Sequence, residues 1–228
     1  MQLIRRMKEK PKLPPSTQNK NGQIIYIVDD DVSVCRALKL LLKQHEFKVE
    51  TFTSAEEFLA FKHPKSLSCL LLDIRMPNGI SGLALQDIMV DKQLTIPIVF
   101  LTSFGTIAMT VKAIKAGAVD FLPKPLFEKD LLEAIEIAIV KSKIQNKQQA
   151  EIAKIKGDIK TLSPRELEVF RFVTQGMLNK QIASKRGTSL QTIKIHRSRV
   201  MYKMHAKTLT ELILFAQKAG THQASNNL

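Results

Sequence analysis

A chain of 228 residues, 44% hydrophobic and 25% charged, holds enough apolar material for one large or two small globular domains. No apolar stretch approaches the ~20 residues of a membrane span; Cys35 and Cys69 lack a metal-ligand spacing, and the five histidines form no H-x-x-x-H pair, which argues against zinc. The net charge of +14 is uneven: residues 1–20 carry +5, residues 21–143 carry −1, and residues 144–228 carry fifteen bases against five acids. This unevenness suggests two domains with different partners, the basic one pointing to a polyanion, most often nucleic acid, although charge alone is better explained by a solvated face.

Residues 1–22 are basic, include Pro11, Pro14 and Pro15, and lack the ~7–15-residue apolar core of a secretory signal. They predict a disordered basic arm. A start codon assigned too far upstream explains them equally well. From Ile24 the pattern alternates. Ile24–Val28 reads as a strand ended by Asp29-Asp30-Asp31, and Val34, Leu38, Leu41 and Leu42 then fall on one helical face. A short strand over 47–52 precedes Ser54-Ala55-Glu56-Glu57, which reads as a capping box. The run Leu70-Leu71-Leu72 ends in Asp73, as a strand buried on both faces would. A helix reaching about Asp91, a strand over 96–101, a helix over 107–116, a strand over 119–122 and a helix from Phe127 to about Lys143 complete five β-α pairs. Such alternation implies a five-stranded parallel, doubly wound (flavodoxin-like) α/β domain over residues 23–143.

In a parallel sheet the polar strand ends, Asp29 and Asp30, Asp73, Thr102 and Ser103, and Lys124, share one edge. Three carboxylates there repel, since two charges ~4 Å apart cost about 4 kcal/mol at an effective dielectric near 20. Lys124 offsets part of that, and a hard cation such as Mg²⁺ suits the rest. Such a site is preset for phosphoryl transfer, with a carboxylate able to act as nucleophile.

Residues 144–160, rich in Lys and Gln, suit a linker, either a solvated helix or a hinge. Ser163-Pro164-Arg165-Glu166 then combines an N-cap, a proline at the first helical position and an acid in the first turn. A helix continuing through Val173 is stopped by Gly176. Asn179 to about Arg186, Ser189 to about Met204, and Thr208 to about Gly220 read as three more, so residues 161–220 form a small all-α four-helix domain. Two of its helices meet at a glycine-containing turn, which suggests helix-turn-helix. In the third helix Ile193, Val200 and Met204 share a stripe, leaving Lys194, Ile195, Ser198 and Arg199 on the other face, as a helix in the major groove requires. Arg197 sits on the shoulder, within reach of a phosphate or an internal acid. Residues 221–228 predict a disordered tail.

Val28-Asp29-Asp30-Asp31, Asp73-Ile74-Arg75-Met76-Pro77, Leu101-Thr102-Ser103 and Phe121-Leu122-Pro123-Lys124-Pro125 together resemble the receiver domain of two-component response regulators. Leu162-Ser163-Pro164-Arg165-Glu166, Asn179-Lys180-Gln181-Ile182-Ala183, Thr192-Ile193-Lys194, His196-Arg197 and Lys203-Met204 resemble the LuxR-type helix-turn-helix. The whole is similar to the NarL/FixJ family, nearest its FixJ branch. That resemblance implies a cytoplasmic, DNA-binding transcription regulator whose only catalysis is its own phosphorylation and dephosphorylation. It implies that Asp73 takes phosphate from a sensor histidine kinase. Asp29, Asp30, Asp73 and the backbone carbonyl of Arg75 would hold Mg²⁺, and Asp31 would be a third acid of lesser role. Thr102 and Phe121 would be switch residues, and Lys124 would pair with the phosphoryl group ahead of a commonly cis Pro125. By the same resemblance Lys194, Ile195 and Ser198 face bases, and Lys180, Thr192 and Arg199 contact phosphates. The phosphorylated form would be a homodimer on duplex DNA, with RNA polymerase a further partner and no membrane involved. Arg186 and Thr188 depart from the family, standing where Leu and an Ile or Val are usual. A rival reading, a magnesium phosphohydrolase acting through Asp73, lacks the D-x-D-x-T motif of one common class and leaves the basic tail unexplained. RNA is compatible with the charge, but helix-turn-helix geometry favours duplex DNA.

Overall fold

The computed structural model describes residues 22–77, 79–103 and 106–221. The expected arm and tail therefore lie outside the described residues, apart from Gly22 and Thr221. The elements run β1 (Gln23–Val28), α1 (Val32–Gln44), β2 (Lys48–Phe52), α2 (Ala55–Ala60), β3 (Leu67–Asp73), α3 (Gly82–Asp91), β4 (Ile98–Thr102), α4 (Ile107–Lys115), β5 (Asp120–Pro123), α5 (Glu128–Lys160), α6 (Pro164–Thr174), α7 (Asn179–Arg186), α8 (Leu190–Lys203) and α9 (Leu209–Lys218). The chain divides into two compact units, one up to Asn146 and one from Lys147.

In the first unit all five strands are parallel, in the order β2-β1-β3-β4-β5. Alternation along β1 sends Ile25 and Ile27 to one face, where they pack with Leu38 and Leu42 of α1 and Leu131, Ile135 and Ile139 of α5. Ile24, Tyr26 and Val28 go to the other face, against Phe58 of α2, Leu85 and Met89 of α3 and Ala113 of α4. Both faces are thus covered, the doubly wound arrangement. In this strand order the sheet's direction of winding reverses between β1 and β3, and the crevice at their carboxyl ends is where such folds bind ligands. Both cysteines are buried as free thiols.

The helix expected to stop near Lys143 runs on unbroken to Lys160. Residues 144–160 are mostly Lys, Gln, Ala, Glu and Ile, several of them strong helix formers, and the single Gly157 does not outweigh them. Near its middle Ser142 Oγ accepts from Ser68 N at 3.1 Å and Asn146 Nδ2 donates to Ser66 O at 3.1 Å, which ties it to the start of β3.

The second unit packs Val169, Phe170 and Val173 of α6, Ile182 of α7, Ile193 and Val200 of α8, and Leu212 and Ala216 of α9 into one core, with Ile155 of α5 included. Ser163 caps α6 in a complete capping box: Glu166 N donates to Ser163 Oγ and Ser163 N to Glu166 Oε2. Glu166 is only 4% exposed and also accepts from Lys203 Nζ, at 2.7 Å, joining the start of α6 to the end of α8. The Lys203 ammonium first, and the Ser163 N–H second, hold its carboxyl at about 2, well below the 4.5 of an ordinary Glu. A carboxylate with a depressed folded value stabilises fully above its unfolded value, and that contribution disappears as pH falls from 4.5 toward 2. Glu166→Gln is therefore expected to cost about 2–3 kcal/mol at neutral pH, and less as the medium is acidified, in urea unfolding of the full chain.

Candidate functional site

Two places were marked in the sequence, and they lie in different units. At the carboxyl edge of the sheet β1 delivers Asp29 and β3 delivers Asp73, both buried. Lys124, just past β5, reaches between them: its Nζ donates to Asp29 Oδ2 at 2.6 Å and to Asp73 Oδ1 at 2.8 Å. The remaining carboxylate oxygens are held by the backbone, Asp29 Oδ1 by Asp31 N at 3.0 Å and Asp73 Oδ2 by Arg75 N at 2.8 Å. The Lys124–Pro125 peptide is cis. Asp30 follows Asp29 and is exposed. Among the described residues no three His, Cys, Asp or Glu side chains converge around one point; what converges is two carboxylates and an ammonium. Asp31, the acid of lesser role, caps α1, its Oδ1 accepting from Ser33 N at 2.8 Å and from the Ser33 hydroxyl.

One ammonium serving two carboxylates makes the cluster unequal. Burial pushes the Asp29 carboxyl above its ordinary range, and the hydrogen bonds from Lys124 and Asp31 only partly oppose that. Burial alone would lower Lys124, but its bonds to both acids outweigh it and hold the ammonium above its ordinary value. The cluster is short of positive charge. An all-oxygen donor set in that condition fits a hard divalent ion.

Thr102 ends β4 buried at 2% exposure, and Phe121 on β5 lies partly buried with its ring centroid 6.3 Å from that of Phe100. The loop after Asp73 has an anchor that periodicity does not show. Glu56 Oε1 on α2 accepts from Ile80 N at 3.1 Å. Its neighbour Glu57 closes the cap of α2 one residue early, accepting from Thr53 N rather than Ser54 N. The expected capping box at 54–57 is therefore only half formed. Glu56→Ala is expected to loosen the loop and cost about 1 kcal/mol in urea unfolding. Gly82 opens α3 where no side chain fits: a Cβ there would lie 2.2 Å from Asp73 O and 3.0 Å from Ile74 Cα.

In the second unit α8 buries Ile193 and Val200 and exposes Lys194, Ile195, Ser198 and Arg199; Thr192 is half-buried and Lys180 on α7 exposed. The exposed side of α8 is thus basic with apolar members among the charges, Leu190, Ile195 at 46% exposure and Tyr202. Arg197 turns inward, but its partner is an amide, not an acid: Nη1 donates to Asn179 Oδ1 at 2.8 Å. That bond ties α8 to the start of α7, where Gln181 Oε1 accepts from Leu178 N. Gly187 makes the turn between them in the left-handed region, at φ 58°. Arg186 keeps its head in solvent, 32% exposed, and meets Glu168 of α6 at 2.7 Å, so the unusual charge is paired.

Comparison with known proteins follows the same division. Residues 25–136 match the response regulator receiver domain, and residues 160–216 match the bacterial regulatory proteins of the luxR family. Nodulation protein W of Bradyrhizobium diazoefficiens is 40% identical over 204 residues, 90% of this chain and 89% of that protein. The transcriptional regulatory protein FixJ of the same organism is 40% identical over 197 residues, 86% of this chain and 95% of that one. Among solved structures the response regulator StyR is similar at a TM-score of 0.68 and 39% identity, covering 86% of this chain and 99% of its own.

Proposed function

Since the chain belongs to the response regulators that join a receiver domain to a LuxR-type DNA-binding domain, we propose that Asp73 accepts a phosphoryl group from a sensor histidine kinase and that its phosphorylation controls binding of the second domain to duplex DNA. The observation that carries this is the Lys124 ammonium held between Asp29 and Asp73 at the open edge of the sheet. An Asp73 oxygen attacks phosphorus, the bond from phosphorus to the histidine nitrogen breaks, and an aspartyl phosphate forms. Lys124 then pairs with the phosphoryl oxygens, giving up one carboxylate contact for them. Asp29, Asp30 and Asp73, with the Arg75 carbonyl, would hold Mg²⁺, which supplies positive charge at those oxygens. Thr102 gives its hydroxyl to a phosphoryl oxygen, and Phe121 follows inward over Phe100.

The phosphate adds about −1.5 to −2 charges, and the surface of α4, β5 and α5 answers by pairing two chains. Two α8 helices then read half-sites about 34–36 Å apart. Lys194, Ile195 and Ser198 face base edges, and Lys180, Thr192 and Arg199 grip backbone phosphates, which fix position without reading sequence. The regulator works in the cytoplasm and meets RNA polymerase on the bound DNA. Among the described residues no helix is long and apolar enough to cross a membrane. In this reading residues 23–143 are the receiver, 144–160 the linker and 161–220 the DNA-binding domain.

The test is the full chain incubated with a small acyl phosphate and Mg²⁺, followed by intact-mass measurement, sedimentation and DNA retention. One hydroxylamine-labile phosphoryl group, faster sedimentation and tighter retention are expected together. No uptake removes the phosphoacceptor role. Uptake with unchanged sedimentation removes dimerisation but leaves Asp73 its part.

A further inference from the structure

A polar cleft in the second unit belongs neither to the phosphoacceptor site nor to the exposed face of α8. It lies between α6, α7 and α8, with a volume of about 410 Å³, and its walls include Arg165, Glu168, Arg186, Thr188, Thr192 and His196. The core of a small helical unit is ordinarily filled with apolar side chains to crystal-like density. Here the spacing itself brings in charge. Ile182 and Ala183 of α7 are buried, and Arg186 follows them at four and three residues, on the same face of the helix.

The charges in the cleft do not balance. Among the described residues that line it Glu168 is the single acid: Oε1 lies 2.7 Å from Arg186 Nη1, and Oε2 lies 3.6 Å from Arg165 Nη1. Lys185 also lines the cleft, its Nζ 5.0 Å from the centre of the Phe172 ring. One carboxylate therefore faces three cations. A guanidinium has five N–H donors in a planar fork, so the single short contact to Glu168 leaves Arg186 with donors to spare. His196 also lines the cleft, but its Nδ1 is closed off from solvent and does not face the open space. Surplus positive charge, a guanidinium fork and two threonine hydroxyls together describe the complement of a tetrahedral oxyanion.

We propose that this cleft binds a phosphate-type oxyanion, with Arg186 as its main partner and Thr188 completing the grip, beside the His196 ring in the wall. The anion comes either from solution or from the DNA backbone, because Thr192 links the cleft to the edge of α8 read above as contacting phosphates.

The experiment titrates inorganic phosphate at constant ionic strength into the full chain labelled at histidine nitrogens, and follows the His196 ring by nuclear magnetic resonance. A saturable shift is expected. Arg186→Leu should weaken it by about tenfold or more, the effect of losing one charge-assisted contact. Thr188→Val should weaken it several-fold, and Arg186→Lys, which keeps the charge but loses the fork, should fall between. Circular dichroism checks that each variant is folded; should Arg186→Leu unfold, Thr188→Val and Arg186→Lys carry the test. Acyl-phosphate uptake at Asp73 should be the same in all of them. Adding a short DNA duplex separates the sources: loss of the phosphate-induced His196 shift identifies the backbone, and simultaneous binding identifies a free anion. A shift that rises linearly without saturating, or that is indifferent to Arg186 and Thr188, overturns the proposal.

Discussion

Protein carrying Asp73→Asn is expected to take up no phosphoryl group from an acyl phosphate, while unfolding in urea within about 1 kcal/mol of the parent. The first half rests on chemistry. A carboxylate oxygen carries negative charge and a free lone pair, whereas an amide oxygen is neutral and its nitrogen lone pair is delocalised. The second half rests on the charge imbalance at the sheet edge. The amide side chain of the variant forfeits one of the two bonds that Asp73 now accepts, from Lys124 Nζ and Arg75 N. It also relieves the repulsion between two carboxylates that share one ammonium. These effects oppose each other and are similar in size. The measurement pairs intact mass after acyl-phosphate treatment with a urea melt. Uptake at the parental rate would give the nucleophile's part to another side chain, and a large loss of stability would mean that Asp73 is structural.

Lys124→Met should do the reverse, with a large loss of stability. Two buried carboxylates would lose their common cation, and breaking a buried ion pair by removing one member costs about 3–5 kcal/mol. The pH dependence has a definite sign. The Asp29 carboxyl is already raised above its ordinary 3.8 by burial. A carboxyl raised in the folded state leaves stability intact below the unfolded value and erodes it as pH climbs through the folded one. Without Lys124 that folded value rises further, so the deficit of the variant should be largest at neutral pH and small below about pH 4. Millimolar Mg²⁺ should narrow the neutral-pH gap by supplying a substitute cation, and by more than it stabilises the parent. A deficit independent of both pH and Mg²⁺ would show that Lys124 matters only for packing.

How far these places were visible in the sequence depends on the distance over which each signal acts. The strands were legible because two-sided burial writes itself as unbroken apolar runs such as Leu70-Leu71-Leu72, and the polar residue ending each run marks the rim. Lys124 meeting Asp29 and Asp73 follows from the parallel topology that the alternation implies. The full length of α5 was not legible, because a Lys- and Gln-rich segment reads equally as solvated helix or hinge until its contacts are known. The pairings between helices left no local trace. Arg186 with Glu168, Arg197 with Asn179 and Lys203 with Glu166 join residues 18 to 37 positions apart, beyond the reach of any helical period. Arg186 showed only as an oddity of composition, and its partner needed coordinates. Glu56 was missed for the opposite reason: it sat beside a capping motif that accounted for the neighbourhood without it.

Gly82 has a bearing on how damage to this protein would be interpreted. It has no side chain to offer either phosphate or magnesium, yet the main chain of Asp73 and Ile74 leaves no room for even one extra carbon. A mutational survey scored on signal output alone would therefore list a glycine beside the acids and the lysine. Inheritance of a defect there would look like lost chemistry, although what failed was the seat of the strand that aims it.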